Sequence, residues 1–297
     1  MNPLLTSNST TPVNLGSIFQ TNNIMPESAL TPSFIYAVGS VHPDFPSLSV
    51  EKEFMQSLST DDMKQLKANG AAKNILSIDK LAPFFYSVLN EPTNFHLARE
   101  MQWKFTNVDN NPLFTIIPGS NARLQELINA TQCDASTKQP KLELLLGRQK
   151  DHGHMLMTKL TSISQSQLQN RVLAKDASIT VSQLTAIMDI ILSLQANNGQ
   201  SIKARALNYA LYNNPSIYSK SYDLLYGSAS AGANPSGYQL LGINTRQQDY
   251  QGGHQVDIIF NYAGINSGAP QSWYCSVDVS GEFPYLLREF SRFLPSK

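Results

Sequence analysis

The sequence is short of cysteine, of charge and of long apolar runs. Only Cys133 and Cys275 occur in 297 residues, so neither a disulfide framework nor a four-thiolate zinc site can be built from it. Asp, Glu, Lys and Arg make up 15% of the chain, against roughly 25% in an ordinary soluble domain. The 22 basic residues are matched by 22 acidic ones, which leaves none of the basic surplus that a nucleic-acid binder needs to pair phosphates. The best apolar stretches, around Leu81–Leu89 and Leu184–Leu194, are interrupted by Pro83 or by Asp189 and Ser193. Both fall well short of the ~20 residues that cross a bilayer. The first fifty residues contain no Lys or Arg, so a secretory signal would lack its basic start. The expectation is a cytoplasmic chain with no nucleic-acid and no membrane partner.

What fills the gap is amide and aromatic. There are 44 Asn and Gln, 13 Phe and 12 Tyr, and the hydrophobic fraction is 41%, too high for a disordered chain. A chain of this length buries roughly three quarters of its unfolded surface when it folds. Residues 1–32, rich in Asn, Ser, Thr and Pro, read as a flexible polar tail, because such a segment cannot offset its own ordering entropy. Residues 33–297 read as a single domain with a flexible loop at about 227–237, Gly-Ser-Ala-Ser-Ala-Gly-Ala-Asn-Pro-Ser-Gly.

Local patterns predict a strand at Phe34–Val38 and a helix at Glu51–Leu58 with Val50, Phe54 and Leu58 on one stripe. Thr60 is expected to cap a helix that opens on Asp61-Asp62. A hairpin is expected at Trp103–Asn107 and Leu113–Ile117, turning at Asp109-Asn110-Asn111-Pro112. Ser120 should cap a helix bearing Leu124, Leu127 and Ile128. Leu142–Gly147 and His154–Leu160 form a second strand pair, followed by helices at about Val181–Ala196, from Ser201 to Tyr212, and from Pro215 to Gly227. Val256, Ile258, Phe260 and Tyr262 alternate with polar residues, as do Trp273, Cys275, Val277 and Val279, which predicts a further hairpin. A closing helix is expected at Pro284–Phe293. Hairpins mixed with separate helices point to an α+β fold, an antiparallel or mixed sheet packed by several helices.

Catalytic signatures are missing. There is no G-x-S-x-G, H-E-x-x-H, Walker loop, G-x-G-x-x-G or C-x-x-C, and no cofactor is called for. Ser49-Val50-Glu51-Lys52 and Ser77-Ile78-Asp79-Lys80 match S-x-x-K without its companion elements. On a strand, His152 and His154 would project to one face about 6–7 Å apart, a spacing that a metal can bridge; the plainer reading is a polar loop tip. Asp257 and Asp278 stand on the polar faces of the last hairpin, and Arg205 and Asn208 on a helix at i, i+3. Paired carboxylates can serve as acid and base, but a structural pairing of Arg205 with these aspartates is favoured. Cys275 reads as a buried, inert thiol.

Several blocks resemble one family. Tyr36-Ala37-Val38-Gly39 and Pro43-Asp44-Phe45-Pro46-Ser47-Leu48-Ser49-Val50-Glu51-Lys52-Glu53-Phe54 open the series. Leu97–Trp103, Arg205-Ala206-Leu207-Asn208-Tyr209 with Pro215-Ser216-Ile217-Tyr218, Val256–Tyr262 and Val277–Leu286 follow in order. Together they resemble the C-terminal domain of PatG-type cyanobactin maturation proteases and span most of residues 34–294. The resemblance implies a domain that is appended, in those pathways, to a subtilisin-like protease that trims and macrocyclises ribosomal peptides, and that has no established activity of its own. No subtilase block precedes Tyr36, so the protease chemistry is not carried over.

The expectation is therefore a non-catalytic accessory module that binds a peptide or partner protein. Its docking strand would be an exposed edge of the last hairpin, or its pocket the aromatic set Phe34, Tyr36, Phe45 and Phe54. With Glu51, Arg205, Asn208, Asp257 and Asp278, these give the candidate binding residues. The alternative is a peptide-processing or metal-assisted hydrolase using His152 and His154. The weakly charged surface also opposes self-association poorly, so a homo-oligomer stands as a third reading.

Overall fold

A computed structural model describes residues 33–68, 78–133, 141–176, 178–193, 197–227, 237–250 and 252–294. All belong to one unit, Pro32–Lys297. The expected tail at 1–32, Ser77 of the second S-x-x-K match, and the loop residues 228–236 lie outside the described residues.

The first strand, β1 (Phe34–Asp44), runs six residues past the expected end at Val38 and carries the architecture. Its first half pairs antiparallel with β4 (Leu142–Asp151) and its second half with β2 (Gln102–Asn107). The exchange of partners falls at Gly39, where a Cβ would stand 1.7 Å from the Thr106 carbonyl oxygen, so only glycine lets β2 approach. β3 (Pro112–Ile117) and β5 (His154–Ile163) complete a closed barrel in the order β1-β2-β3-β5-β4, with β3 and β5 parallel. This is a five-stranded Greek-key barrel of the OB type.

Between β1 and β2 lie α1 (Leu48–Gln56), α2 (Thr60–Ala68), α3 (Ile78–Leu89), a 3₁₀ turn at Pro92–Asn94 and α4 (Phe95–Glu100). α5 (Asn121–Ala130) follows β3, and its Ser120 accepts from the Arg123 amide at 3.3 Å, as expected of an N-cap. The cap of α2 is Ser59 rather than Thr60. Ser59 Oγ accepts from the Asp62 amide, and Asp62 reaches back to the Ser59 amide, a capping box in which Asp replaces Glu. Ile35, Phe54, Phe85, Leu97, Phe105, Leu127 and Leu145 lead the core of this barrel half.

The second half has its own core. α6 (Gln165–Leu173), α7 (Val181–Ser193), α8 (Ile202–Asn213) and α9 (Pro215–Tyr226) lie with a four-stranded antiparallel sheet. The sheet runs in the order β6 (Tyr238–Tyr250), β7 (Gly253–Gly264), β8 (Pro270–Asp278) and β9 (Tyr285–Arg292). Val256, Ile258, Phe260, Tyr262, Cys275 and Val277 pack under Leu184, Met188, Leu207, Ile217 and Tyr218. The β7–β8 hairpin is as the alternation requires. Its neighbours are not: β6 had no counterpart among the expected elements, and the closing segment is strand β9, not a helix. Leu286 and Phe290, four apart, match a helical stripe. Residues four apart share one face of a strand as well, and the two register slips of β8–β9 together preserve that alternation, so both readings fit the pattern.

Among the described residues, no helix is long and apolar enough to cross a membrane.

Candidate functional site

Three of the residues singled out in the sequence, Tyr36, Arg205 and Asn208, meet where the two halves join. Over residues 34–38, β1 has β4 on one side and no β2 on the other. The second half takes that free edge. The Tyr36 amide donates to Gly199 O at 3.0 Å, and Asn208 Nδ2 donates to Tyr36 O at 2.9 Å. Asn208 also exchanges amide bonds with Asn197 at 2.8 and 3.0 Å. Asn213 Nδ2 donates to the Tyr36 hydroxyl at 2.9 Å, while burial drives that phenol well above its ordinary range. Gly199 has φ +65°, and a Cβ there would stand 2.2 Å from Tyr36 O, so both conformation and clearance demand glycine.

Arg205, almost fully buried on α8, completes the join. Its Nη1 donates to Val279 O at 2.9 Å, and its Nη2 to the Gly281 and Glu282 carbonyls. Its guanidinium lies 5.3 Å from the Phe34 ring centre, as does that of Arg148, and Arg148 pairs with Glu282 at 3.2 Å. Burial lowers Arg205 to about 10, with Glu282 opposing the drop, so it stays charged at neutral pH. The expected pairing of Arg205 with Asp257 or Asp278 is not made: both Nη atoms donate to backbone carbonyls instead. Beside Asn208, Val38, Val108, Leu192, Asn197, Leu211 and Tyr212 line a shallow depression about the size of one water. A ligand pocket spans several hundred Å³. This junction is a clasp.

The aspartates have other partners. Asp257, 2% exposed on β7, accepts from Arg246 and Gln248 of β6, from Gln255, and from Ser276 of β8 at 2.6 Å. Burial resists its ionisation, but the bonds from Ser276, Arg246 and Gln255 outweigh that, and its carboxyl sits below the usual range. Asp278 is similar. Burial raises it, while Tyr250, Ser280 and Tyr285 pull it lower overall. Asp257 stands opposite Ser276, and Asp278 opposite Gln255; each carboxylate has its own donors, and both are held ionised. An acid–base couple needs the two pushed apart, and these move the same way.

The remaining candidates are scattered. Phe54 is fully buried and packs edge-on against Phe45 at 5.3 Å and against Phe85 at 4.9 Å, inside the barrel core. Glu51 lies in the first turn of α1, half-buried. Phe34 and Tyr36 belong to the junction instead, so the four aromatics do not share a pocket. His152 is in the two-residue turn joining β4 to β5, not on a strand face. His154 opens β5 and pairs with Asp151 at 2.6 Å. Among the described residues, no three His, Cys, Asp or Glu side chains converge as metal ligands. Cys275 is buried, and burial pushes its thiol up to about 12.

The sequence reading missed the outward face of the four-stranded sheet. Arg246 lies 5.5 Å from the Phe293 ring, Phe293 meets Tyr274 edge-on at 5.3 Å, and Arg288 lies 5.4 Å from Tyr274. Tyr250 and Tyr285, 45% and 52% exposed, flank this row. Arg246 and Tyr250 come from β6, Arg288 and Tyr285 from β9, the two strands that the sequence hid. Period-two alternation of Asn244, Arg246 and Gln248 against Ile243, Thr245 and Gln247 was the available signal.

The structure thus defines a two-core α+β domain whose conspicuous polar side chains hold backbone or one another. Residues 34–207 match the family model of the PatG domain, and residues 174–293 match that of the PatG C-terminal region. The chain belongs to this family. No curated protein matches it. Among solved structures it is similar to the PatG domain of unknown function, with a TM-score of 0.59 at 15% identity, over 89% of this chain and 99% of that one. At that identity the likeness shows the fold.

Proposed function

We propose that this chain is a non-catalytic accessory module of a peptide-maturation system, and that it binds a peptide or partner protein on the outward face of its four-stranded sheet. The row Arg246–Phe293–Tyr274–Arg288, with Tyr250 and Tyr285 beside it, carries the reading. Tyr and Arg are the residue types that dominate binding hot spots, because they offer large, stiff contact area with polar ends. Asp257 and Asp278 act beneath this face as anchors: Asp257 holds Arg246, and Asp278 holds Tyr250. Tyr36, Arg205 and Asn208 keep the sheet half fixed to the barrel, and Phe45, Glu51 and Phe54 belong to the barrel half.

Isothermal titration of the full chain against precursor peptides and the purified products of neighbouring genes tests this. Binding that falls at least tenfold in Tyr274→Ala and Arg288→Ala is expected, equivalent to about 1.4 kcal/mol or more. Binding unaffected by both substitutions, or turnover of any of these peptides, would defeat it.

A further inference from the structure

The two edges of the four-stranded sheet are defended differently. β9 slips register twice against β8 and carries Arg288, Glu289 and Arg292 in eight residues. Bulges and charges of this kind blunt a strand edge against pairing. β6 has little of either. It runs for 13 residues, its one irregularity lies between Leu240 and Gly242, and from Gly242 to Tyr250 it matches β7 residue for residue. That stretch holds no Pro and no Lys, and only Arg246 and Asp249 are charged. Among the described residues, no strand lies on the far side of β6. Among the described residues, none of its backbone groups finds a backbone partner outside β7.

We propose that β6 is a dimerisation strand. A second copy of this chain adds its own β6 antiparallel across a twofold axis, and two four-stranded sheets become one of eight. The side chains fit this occupant. A twofold perpendicular to the sheet sets residues of equal side-chain direction opposite one another. Centred on Thr245, it places Arg246 against Asn244 and Ile243 against Gln247. Centred on Gln247, it places Arg246 against Gln248, and the Thr245 hydroxyl against the Asp249 carboxylate. The registers centred on Arg246 and on Asp249 bring like charges face to face, and cross-strand pairing penalises those two. With a formal net charge of zero, two copies meet without long-range repulsion. A strand-to-strand contact is smaller than a standard interface, so a weak, reversible dimer is expected. It sets two copies of the outward aromatic–arginine face side by side. This inference goes beyond partner binding and stands without it.

Sedimentation equilibrium of the full chain from ~5 to ~200 μM tests it. A reversible monomer–dimer equilibrium is expected. Asn244 and Gln248 are both exposed, and lysines there would face Arg246 of the second copy in one register or the other. The double variant Asn244→Lys/Gln248→Lys should therefore be monomeric throughout while keeping the wild-type circular dichroism; because Gln248 also donates to Asp257, a lowered melting midpoint is expected. Should the double variant fail to fold, one of the two single variants should still weaken the dimer at least tenfold. A wild-type chain that stays monomeric at ~200 μM, including one whose β6 instead captures a peptide, overturns the proposal. So does a dimer that the lysines leave intact.

Discussion

Glu143 offers the sharpest test of how the barrel is built. It lies on β4, 1% exposed, opposite Ser162 of β5 and Gly39 of β1, and accepts from the Ser162 hydroxyl at 2.6 Å. Burial raises its carboxyl from 4.5 to about 7, with Ser162 and Lys141 opposing the rise. A carboxyl whose folded value exceeds its unfolded value holds its proton longer in the native state. Its contribution to stability is therefore complete below about pH 4.5 and is lost as pH rises through about 7. At ~1.4 kcal/mol per tenfold, the gap amounts to about 3 kcal/mol at pH 8. Glu143→Gln keeps the shape and removes the charge, but its amide brings a donor that needs an acceptor, so about 2 kcal/mol of gain should remain. Urea unfolding of both chains at pH 5 and pH 8 reads the effect. The variant should match the wild type near pH 5 and exceed it at pH 8, with a melting midpoint higher by about 4–8 °C. Because every other titrating group is common to both chains, the difference belongs to Glu143. Parallel pH profiles would show that this carboxylate ionises without cost and would refute the reasoning.

Gly199→Ala should destabilise by more than 2 kcal/mol, since it combines φ +65° with a Cβ 2.2 Å from Tyr36 O; hydrogen exchange should quicken first at the Tyr36 amide. Asp257→Ala should cost about 1–3 kcal/mol in thermal unfolding at pH 7, because it leaves the buried Ser276 hydroxyl without its acceptor while Arg246, Gln248 and Gln255 lose theirs nearer the surface. Its penalty should shrink as pH falls through the lowered folded value of Asp257, where the wild-type carboxylate is itself protonated. Equimolar zinc should leave the melting midpoint unmoved, since the His154–Asp151 pair gains no third ligand among the described residues. A rise of several degrees that His154→Ala abolishes would reinstate the metal reading.

Segments whose burial follows from their own neighbours were legible in the sequence. The stripe Leu184, Ile187, Met188 and Ile191 is buried as its spacing requires, Ser120 and Ser201 cap the helices they precede, and β7 alternates into the core. What stayed hidden depends on distant partners. β6 is polar because its outward side chains Asn244, Arg246 and Gln248 are exposed, so its alternation has little hydrophobic contrast. β9 reads as a helix until β8 is placed beside it. The site repeats the lesson. Family blocks pick out Tyr36 and Asn208, yet nothing local says that residues 172 positions apart share a bond. Arg205 holds backbone carbonyls at the junction rather than Asp257, because the arginine that does hold Asp257 comes from the unforeseen β6.

The clasp at β1 bears on how this chain can be cut and reused. One strand serves as a wall of the barrel and as the anchor for α8, and the two family matches overlap across residues 174–207, the stretch that contains both Gly199 and Arg205. Severing the chain there would strip the barrel of the groups that cover its first strand and leave a buried arginine without its carbonyls. Neither portion is a portable cassette. Any fusion, truncation or domain exchange should carry the pair as one inheritable block.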